Sequence, residues 1–522
     1  MKKNSAVLLL FSFLPFLSFS QSIGTCGTSI TDLQINARKI LEQRAKGNVA
    51  DFRAVVFIPV WFHIVSKTDG SSAVGEGSIL DMLCDMNKIY VDNAMDMQFY
   101  LKGFNYIKSD ELYNDTKTVP TYNIMKTNKK SDGINVFINN NAGTNVTQGV
   151  LAYYSNRQYT TDATYANDWI VLTKTQVGGG TKAATLGHEI GHLFSLIHTF
   201  NGWESAPFKP TQTTPCAPPV ASDGVTPTEK HSRSSDGNCA NAGDYMCDTP
   251  EDYNFGFGWT GCSYTGIAKD PTCITATPSE KNIMGYFISC LAQFSAQQKQ
   301  AVRNNYANDA GRAYLRNGNI TPSLTEIGTT ALISPSNGAT TTAYNNINLS
   351  WTNTVGAVSF VIEISPNSSF DVDPVRLISA GTILNLNPKI LPPNYLKPGT
   401  VYFWRVRGFS AYKTCSTFTK SFFVTGTLNA VQDITIVTDL TVSPNPISGD
   451  DNFITVGIVT QKTFSGNLKI INLNGQTLLS EPHIFAAGLT NENVSINNLP
   501  NGLYILTIES GEGTVRRKFI KQ

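Results

Sequence analysis

The sequence predicts an α+β unit with a mixed sheet and one site-bearing helix, followed by two all-β sandwich domains. Three observations carry this. From Val55 to Leu315 the apolar residues switch between the periodicities of strands and of helices. After Asn319 the helical period disappears, and strand-length runs separated by turn residues take over. That strand pattern is interrupted by a linker at about 427–437, which divides it into regions 330–427 and 438–522. At 522 residues the chain has the length of several domains.

The N-terminus reads as an export signal. Lys2 and Lys3 precede an apolar run from Ala6 to Phe19, and the small residues Ser18 and Ser20 place a cleavage after Ser20, before Gln21. The run contains Pro15 and is shorter than a spanning helix requires, so residues 1–20 are expected to be a removable signal peptide and no stable membrane span is expected. Residues 21–53 hold one amphipathic helix, roughly Thr31–Ala45, with Leu33, Ala37, Ile40 and Leu41 at helical spacing. Arg44, Lys46 and Arg53 supply basic processing sites, and the segment is expected to be a propeptide. The unit expected over 54–320 begins with the strand VVFIPVWFHIV at 55–65. Ile79, Leu80, Leu83, Met86, Ile89 and Tyr90 mark one face of a long helix. Strands are expected near Met97–Phe104, Ile134–Ile138, Gly149–Tyr154 and Trp169–Thr173, and the glycines at 178–180 lead into a second helix. Residues 205–235 are rich in Pro, Ser and Thr and read as a surface loop. A helix from about Ala296 to Leu315 closes the unit, with Ser295 and Gln298 as a capping box.

The chemistry concentrates in HEIGHLFSLIH at 188–198, which holds three of the six histidines. On a helix, His188 and His192 lie one turn apart and share a face, so both imidazoles reach one metal ion, with Glu189 beside it. A straight helix would carry His198 away. The chain must therefore turn near Ser195 to bring it back. Three His ligands leave a fourth zinc position open, as a catalytic zinc requires and a closed structural site does not.

HEIGHLFSLIHTF resembles the active-site segment of the pappalysin family of metzincin metalloproteases, whose pattern is H-E-x-G-H-x-x-G-L-x-H-T-F. Ser195 stands where the family has glycine. NIMGYF at 282–287 resembles the family's Met-turn, which places Met284 under the zinc and gives Tyr286 the role of holding the substrate's oxyanion. The resemblance covers roughly residues 55–318. It implies a zinc metalloendopeptidase in which zinc lowers the pKa of its bound water from about 15.7 toward 7 and Glu189 acts as general base. GDYMCDTPE at 243–251 resembles the family's calcium loop, which would make Asp244, Thr249 and Glu251 ligands with the carbonyls of Gly243 and Cys247; oxygen ligands in an irregular loop suit Ca²⁺. The alternative there is a turn with an Asx cap at Asp248. Cys26, in CGT, resembles a propeptide cysteine that binds the zinc and blocks it; the alternative is an ordinary disulfide half. Family members that cut before Arg carry an acidic residue just before the cysteine after the Met-turn. Here that residue is Ser289, before Cys290, which removes the basis for an Arg preference.

INLSWT (347–352) and VYFWRVRGF (401–409) resemble fibronectin type III strands, with Trp351 and Tyr402 as core. SPNP (443–446), NLNGQTL (472–478), LPNGLYILTI (499–508) and the terminal KFIKQ resemble a type IX secretion sorting domain, which implies a secreted or cell-surface protein exported by outer-membrane machinery. The formal net charge is +1, and no basic block interleaves with aromatics, so nucleic acid is not an expected partner. Nine cysteines in an exported chain imply disulfides with at least one thiol left over. The expected protein is a secreted zinc metalloendopeptidase made as a zymogen, acting on proteins or peptides. The alternative is a non-catalytic surface or adhesion protein that keeps the scaffold.

Overall fold

The computed structural model describes residues 25–47, 50–52, 54–143, 150–155, 167–231, 237–255, 262–287, 290, 292–316, 322–371, 374–427, 434, 436–448, 451–511 and 513–522. The expected signal peptide, Arg53 and Ser289 lie outside these residues. Two compact units are present. The first takes in the chain as far as Ile333 together with 350–382 and 403–421; the second comprises 334–349, 383–402 and 422–522.

The first unit is built on a six-stranded mixed sheet. In chain order its elements are β1 (Thr25–Cys26), α1 (Ile30–Ala45), β2 (Val56–Ser66), α2 (Glu76–Asp92), β3 (Met97–Lys108), α3 (Asp110–Asn114), α4 (Val119–Asn128), β4 (Ile134–Asn139), β5 (Val150–Ser155), β6 (Trp169–Thr173), α5 (Lys182–Leu193) and α6 (Ala296–Asn308). The spatial order is β1-β5-β6-β4-β2-β3. β2, β3, β4 and β6 run parallel, and β5, with β1 parallel beside it, runs the opposite way. The central strands are buried along nearly their whole length, which is why they read as continuous apolar runs. One face of the sheet carries the main core, where Ile79, Leu83 and Met86 of α2 meet Leu186 and Ile190 of α5. The other face packs Phe137, Tyr153 and Trp169 against Leu112 and Met125 of α3 and α4.

Apolar periodicity does not mark α3 and α4. α3 is only five residues long. α4 is set by its start: Thr118 caps it in a capping box with Thr121, and a proline stands in the first turn. The expected capping box on α6 is present, with Ser295 Oγ accepting from Gln298 N at 3.1 Å and Gln298 Oε1 accepting from Ser295 N at 2.9 Å. Arg44, expected as a processing site, sits in the last turn of α1, and its guanidinium donates to the carbonyls of Ala240 and Tyr245.

A buried ion pair fixes the end of α5. Arg312 Nη1 donates to both oxygens of Asp168, at 2.8 and 2.9 Å, and Nη2 donates to Leu193 O and Tyr154 Oη, at 2.6 and 2.9 Å. Burial raises the Asp168 carboxyl, but Arg312 and the hydroxyls of Tyr314 and Tyr154 outweigh it and hold the group below its ordinary value. α5 and β5 are thus tied through one guanidinium.

After Arg316 every regular element among the described residues is a strand. Trp351 and Tyr402 are both buried, as expected. Within the first unit, Ser359–Ser365 pairs antiparallel with Val375–Ser379 and with residues of Val401–Phe409. This part is fastened to the sheet-and-helix region by the disulfide Cys84–Cys415, by the Arg407–Asp81 ion pair and by Leu101 N donating to Ala411 O at 2.8 Å. In the second unit two sheets face each other. Val437–Ser443, Phe453–Thr460 and Gly488–Ser495 form one; Phe464–Asn472, Thr477–Phe485, Gly502–Ser510 and Gly513–Lys521 form the other. Their alternate residues, among them Ile454, Val456, Ile458, Leu468, Ile470, Leu506 and Ile508, fill the space between.

Candidate metal centre and active site

α5 is a poor helix by composition. Gly187 and Gly191 each cost about 1 kcal/mol relative to alanine, and the reason for both lies in packing. A Cβ on Gly191 would come within 2.5 Å of Met284 Sδ, and one on Gly187 within 2.8 Å of Ile283 Cδ1. The glycines let the segment 282–287 press against the helix. Met284 is fully buried there.

The helix ends in a Schellman motif. Ser195 has φ +73°, Leu196 N donates to Gly191 O at 2.8 Å, and Ser195 N donates to His192 O at 3.0 Å. The expected sharp turn is therefore present without glycine. It returns His198 to the other two imidazoles. His192 Nε2 lies 3.1 Å from His188 Nε2 and 3.2 Å from His198 Nε2. Each Nδ1 faces an acceptor: Ile283 O at 2.7 Å for His188, Leu196 O at 2.9 Å for His192, and Glu204 Oε1 at 3.2 Å for His198. Those acceptors draw the single proton of each neutral ring to Nδ1, leaving three Nε2 lone pairs pointed at one another. Burial pushes His188 down to about 3 and His192 well below its ordinary value, so protonation does not relieve the repulsion. A cation does. The nitrogen spacing is close to the edge of a tetrahedron with bonds of ~2.0 Å, the zinc–imidazole length. The donor set fits zinc.

Glu189 is buried beside this cluster, and burial raises its carboxyl to about 8. Its Oε2 accepts from Thr28 Oγ1 at 3.3 Å, while Oε1 has no partner among the described residues. Cys26 is the free cysteine; the other eight pair as Cys84–Cys415, Cys216–Cys273, Cys239–Cys247 and Cys262–Cys290. Its Sγ lies 3.6 Å from His192 Nε2, and the four ligand atoms of Cys26, His188, His192 and His198 lie within 4.8 Å of one another. Tyr286 Oη accepts from Cys26 N at 3.1 Å and donates to Cys26 O at 3.4 Å, so the Cys26 peptide group lies under the tyrosine hydroxyl. β1 adds to the outer edge of β5 in parallel, which is how residues 25–28 cross the site. Asn36 Nδ2 locks α1 to the helix end by donating to His192 O and Leu196 O, at 2.7 and 3.2 Å.

A cavity opens beside His188, Glu189 and Tyr286. Its walls are Leu151, Ala184, Ile283, Phe287 and Ala292. Among the described residues that line it, Glu189 and His188 are the only ionisable side chains besides Cys26 and Tyr286.

The calcium-loop residues divide. Asp244 and Thr249 meet, with Thr249 Oγ1 donating to Asp244 Oδ1 at 2.9 Å, whereas Glu251 Oε1 accepts from Thr277 N and faces His231 Nδ1 at 3.0 Å. Asp248 instead accepts from Gln297 N and Ser295 Oγ at the start of α6. Glu229, which the motif does not contain, joins the group. Both its carboxylate oxygens are buried without a partner among the described residues, and a Cβ on Gly243 would lie 2.3 Å from Oε2. Burial, then the charges of Asp244, Glu251 and Asp252, push Glu229 well above its ordinary value.

Residues 441–522 match the secretion system C-terminal sorting domain family. An extracellular metalloprotease of Pyricularia oryzae is 26% identical over 168 residues, 31% of this chain and 57% of that protein. One from Neurospora crassa is 27% identical over 295 residues, 52% of this chain and 85% of that protein. The chain thus spans little more than half the length of the first of these relatives and most of the second. Among solved structures, a point mutant of Tannerella forsythia promirolysin aligns at 17% identity and a TM-score of 0.37, over 56% of this chain and 96% of that one. No helix among the described residues is long and apolar enough to cross a membrane. The chain is a secreted or cell-surface protein that is similar to extracellular metalloproteases over about half its length and ends in a secretion-system sorting domain.

Proposed function

We propose that this chain is a zinc metalloendopeptidase made as a zymogen. The observation that carries the reading is the convergence of three buried imidazoles beside the buried Glu189 carboxyl group. His188, His192 and His198 would hold the ion. When bound, zinc supplies a Lewis acid and makes water acidic enough to serve as nucleophile near neutral pH. Glu189 takes the proton of the attacking water on its free Oε1 and delivers it to the leaving amine. Tyr286 donates its hydroxyl to the carbonyl oxygen as charge develops there, in the position where it now meets the Cys26 carbonyl. The outer edge of β5 binds the substrate main chain by strand addition.

Latency follows from the same contacts. Cys26 reaches the imidazole cluster and Thr28 holds Glu189, so residues 25–46 must leave before a substrate enters. Lys46, in the turn after α1, is the accessible processing site of the described pair, since Arg44 is engaged by Tyr245 and Ala240. The apolar cavity next to Glu189 favours an apolar residue on the primed side of the bond. Burying a leucine side chain is worth ~1.5–3 kcal/mol, whereas an unpaired guanidinium costs several kcal/mol. The zinc-loaded chain cut after Lys46 is expected to cleave a mixed peptide library before Leu and other apolar residues, rarely before Arg, and the uncut chain only weakly. No cleavage by the processed, zinc-loaded chain overturns the reading.

Asp244, Thr249 and Glu251 are read as part of a calcium site, to which Glu229 adds a carboxylate. Buried acids of one sign require a cation or protons, and oxygen ligands in an irregular loop suit calcium. Calcium at ~100 times its dissociation constant adds about 2.7 kcal/mol, a rise in melting temperature of ~3–4 °C for a unit of this size. Glu229→Gln should lose most of that rise while keeping zinc. A melting temperature indifferent to calcium in the wild type removes the site.

A further inference from the structure

Lys117 stands between α3 and α4, on the rim of β5. Its amide donates to Asp115 Oδ1 at 2.8 Å, and its ammonium lies 3.4 Å from the centre of the Tyr153 ring. Tyr153 belongs to β5 and is tied back to the lysine's own segment, its hydroxyl donating to Thr116 O at 3.2 Å. The cation is thus held on an aromatic face at the strand that carries β1. Lys117 and Lys126 line one cavity there, walled by Tyr122, Tyr153 and Trp169.

The charges that act on Lys117 are, in order, Asp32, Cys26, Glu189 and Asp115. Two of these four belong to the N-terminal segment that the zymogen reading removes. Asp32 lies in the first turn of α1 and is almost fully buried, with Ser29 Oγ donating to its Oδ2 at 2.7 Å. Lys117 is itself largely withdrawn from water, and of the charges around it that of Asp32 acts on it most strongly. When α1 and β1 leave, Lys117 keeps its place on Tyr153 but loses that partner. An extended peptide added to the vacated edge of β5 runs past the same ring.

We propose that Lys117, mounted on Tyr153, is a specificity-determining residue that recognises an acidic side chain of the substrate, and that Asp32 occupies its field in the uncut chain. The inference deepens the proteolytic reading and rests on it. It assigns the substrate class as chains carrying an aspartate or glutamate near the bond, in addition to the apolar residue that the cavity beside Glu189 takes.

The test uses the chain cut after Lys46, loaded with zinc, and fluorogenic peptides in which Asp or Asn is placed in turn at each position flanking the bond. At one position Asp is expected to raise kcat/KM about tenfold over Asn, a difference of ~1.4 kcal/mol. Lys117→Met should abolish that ratio, whatever it does to the common rate on Asp and Asn peptides, and Lys117→Glu should turn the preference to Lys. Equal cleavage of Asp and Asn peptides at every position, or a preference that survives Lys117→Met, overturns the proposal. A second measurement does not need catalysis. A synthetic peptide of residues 22–46 should bind the processed chain about tenfold more tightly than its Asp32→Asn form, and Lys117→Met should erase the difference. If binding behaves so while no peptide is cut, the protease reading fails and the acidic subsite stands. Equal binding of the two peptides sinks the subsite alone.

Discussion

Glu189→Ala is expected to keep zinc and lose peptidase activity by ~10²–10⁴-fold, the contribution of a positioned general base. The three imidazoles are oriented by Ile283 O, Leu196 O and Glu204, and the substitution touches none of these. Stability should not suffer either. The carboxylate is buried, one of its oxygens has no partner among the described residues, and the side chains that meet it, Thr28 and Cys26, belong to the segment removed on processing. An alanine there removes a buried polar group whose hydrogen bonds are incomplete, so folding should lose little. The measurement is kcat/KM on a peptide cut by the wild type, alongside zinc content and melting temperature. Activity near the wild-type value with zinc in place would mean that another group moves the proton. Loss of zinc together with activity would give Glu189 a role in holding the metal, and the base would have to be sought elsewhere.

What was legible in the sequence follows a physical line. The site helix and the convergence of its histidines were readable because metal chemistry fixes residue types at helical spacing, and the turn at Ser195 followed from needing His198 back at the cluster. The long strands and α2 were readable because burial imposes a period. α3 and α4 were not, since five residues hold too few turns for a period and α4 depends on the Thr118 cap and its proline more than on an apolar face. Glu229 stayed hidden for another reason. It lies in a Pro/Ser/Thr-rich stretch with no periodic signal, and only the fold brings it to Gly243. Asn36, Thr28 and Glu204 are of the same kind: each serves the site through hydrogen bonds across the fold, which leave no mark at fixed spacing. Cysteine pairing was open by counting alone. The structure pairs Cys84 with Cys415, 331 residues away, and leaves Cys26 free. That long disulfide also shows why a boundary drawn from composition near residue 320 misses a connection: the strand region 403–421 shares a compact unit with the site helix.

His198→Ala is expected to lower zinc affinity by at least ~10²-fold, more than the 10–100-fold that loss of a partner behind a ligand produces. The argument rests on the turn. His198 is buried, stacked on Phe200 with ring centres 4.5 Å apart, and its Nδ1 is held by Glu204. The ring is therefore positioned before any ion arrives, and its removal leaves two imidazoles with nothing to complete the set. Ser195→Gly probes the same turn from the other side. A non-glycine residue in the left-handed region costs roughly 1–2 kcal/mol, and the Ser195 hydroxyl is buried without a partner among the described residues, a further expense of ~1–3 kcal/mol. Glycine removes both. The variant should melt higher than the wild type and bind zinc equally well. A competition titration with a chromophoric chelator measures the affinities, and calorimetry the melting temperatures. If His198→Ala binds zinc as tightly as the wild type, the third ligand is not His198, and the site is a two-histidine pair completed by Cys26 or another group. If Ser195→Gly melts lower, packing around the serine contributes more than its backbone strain costs, and the αL argument is the part that fails.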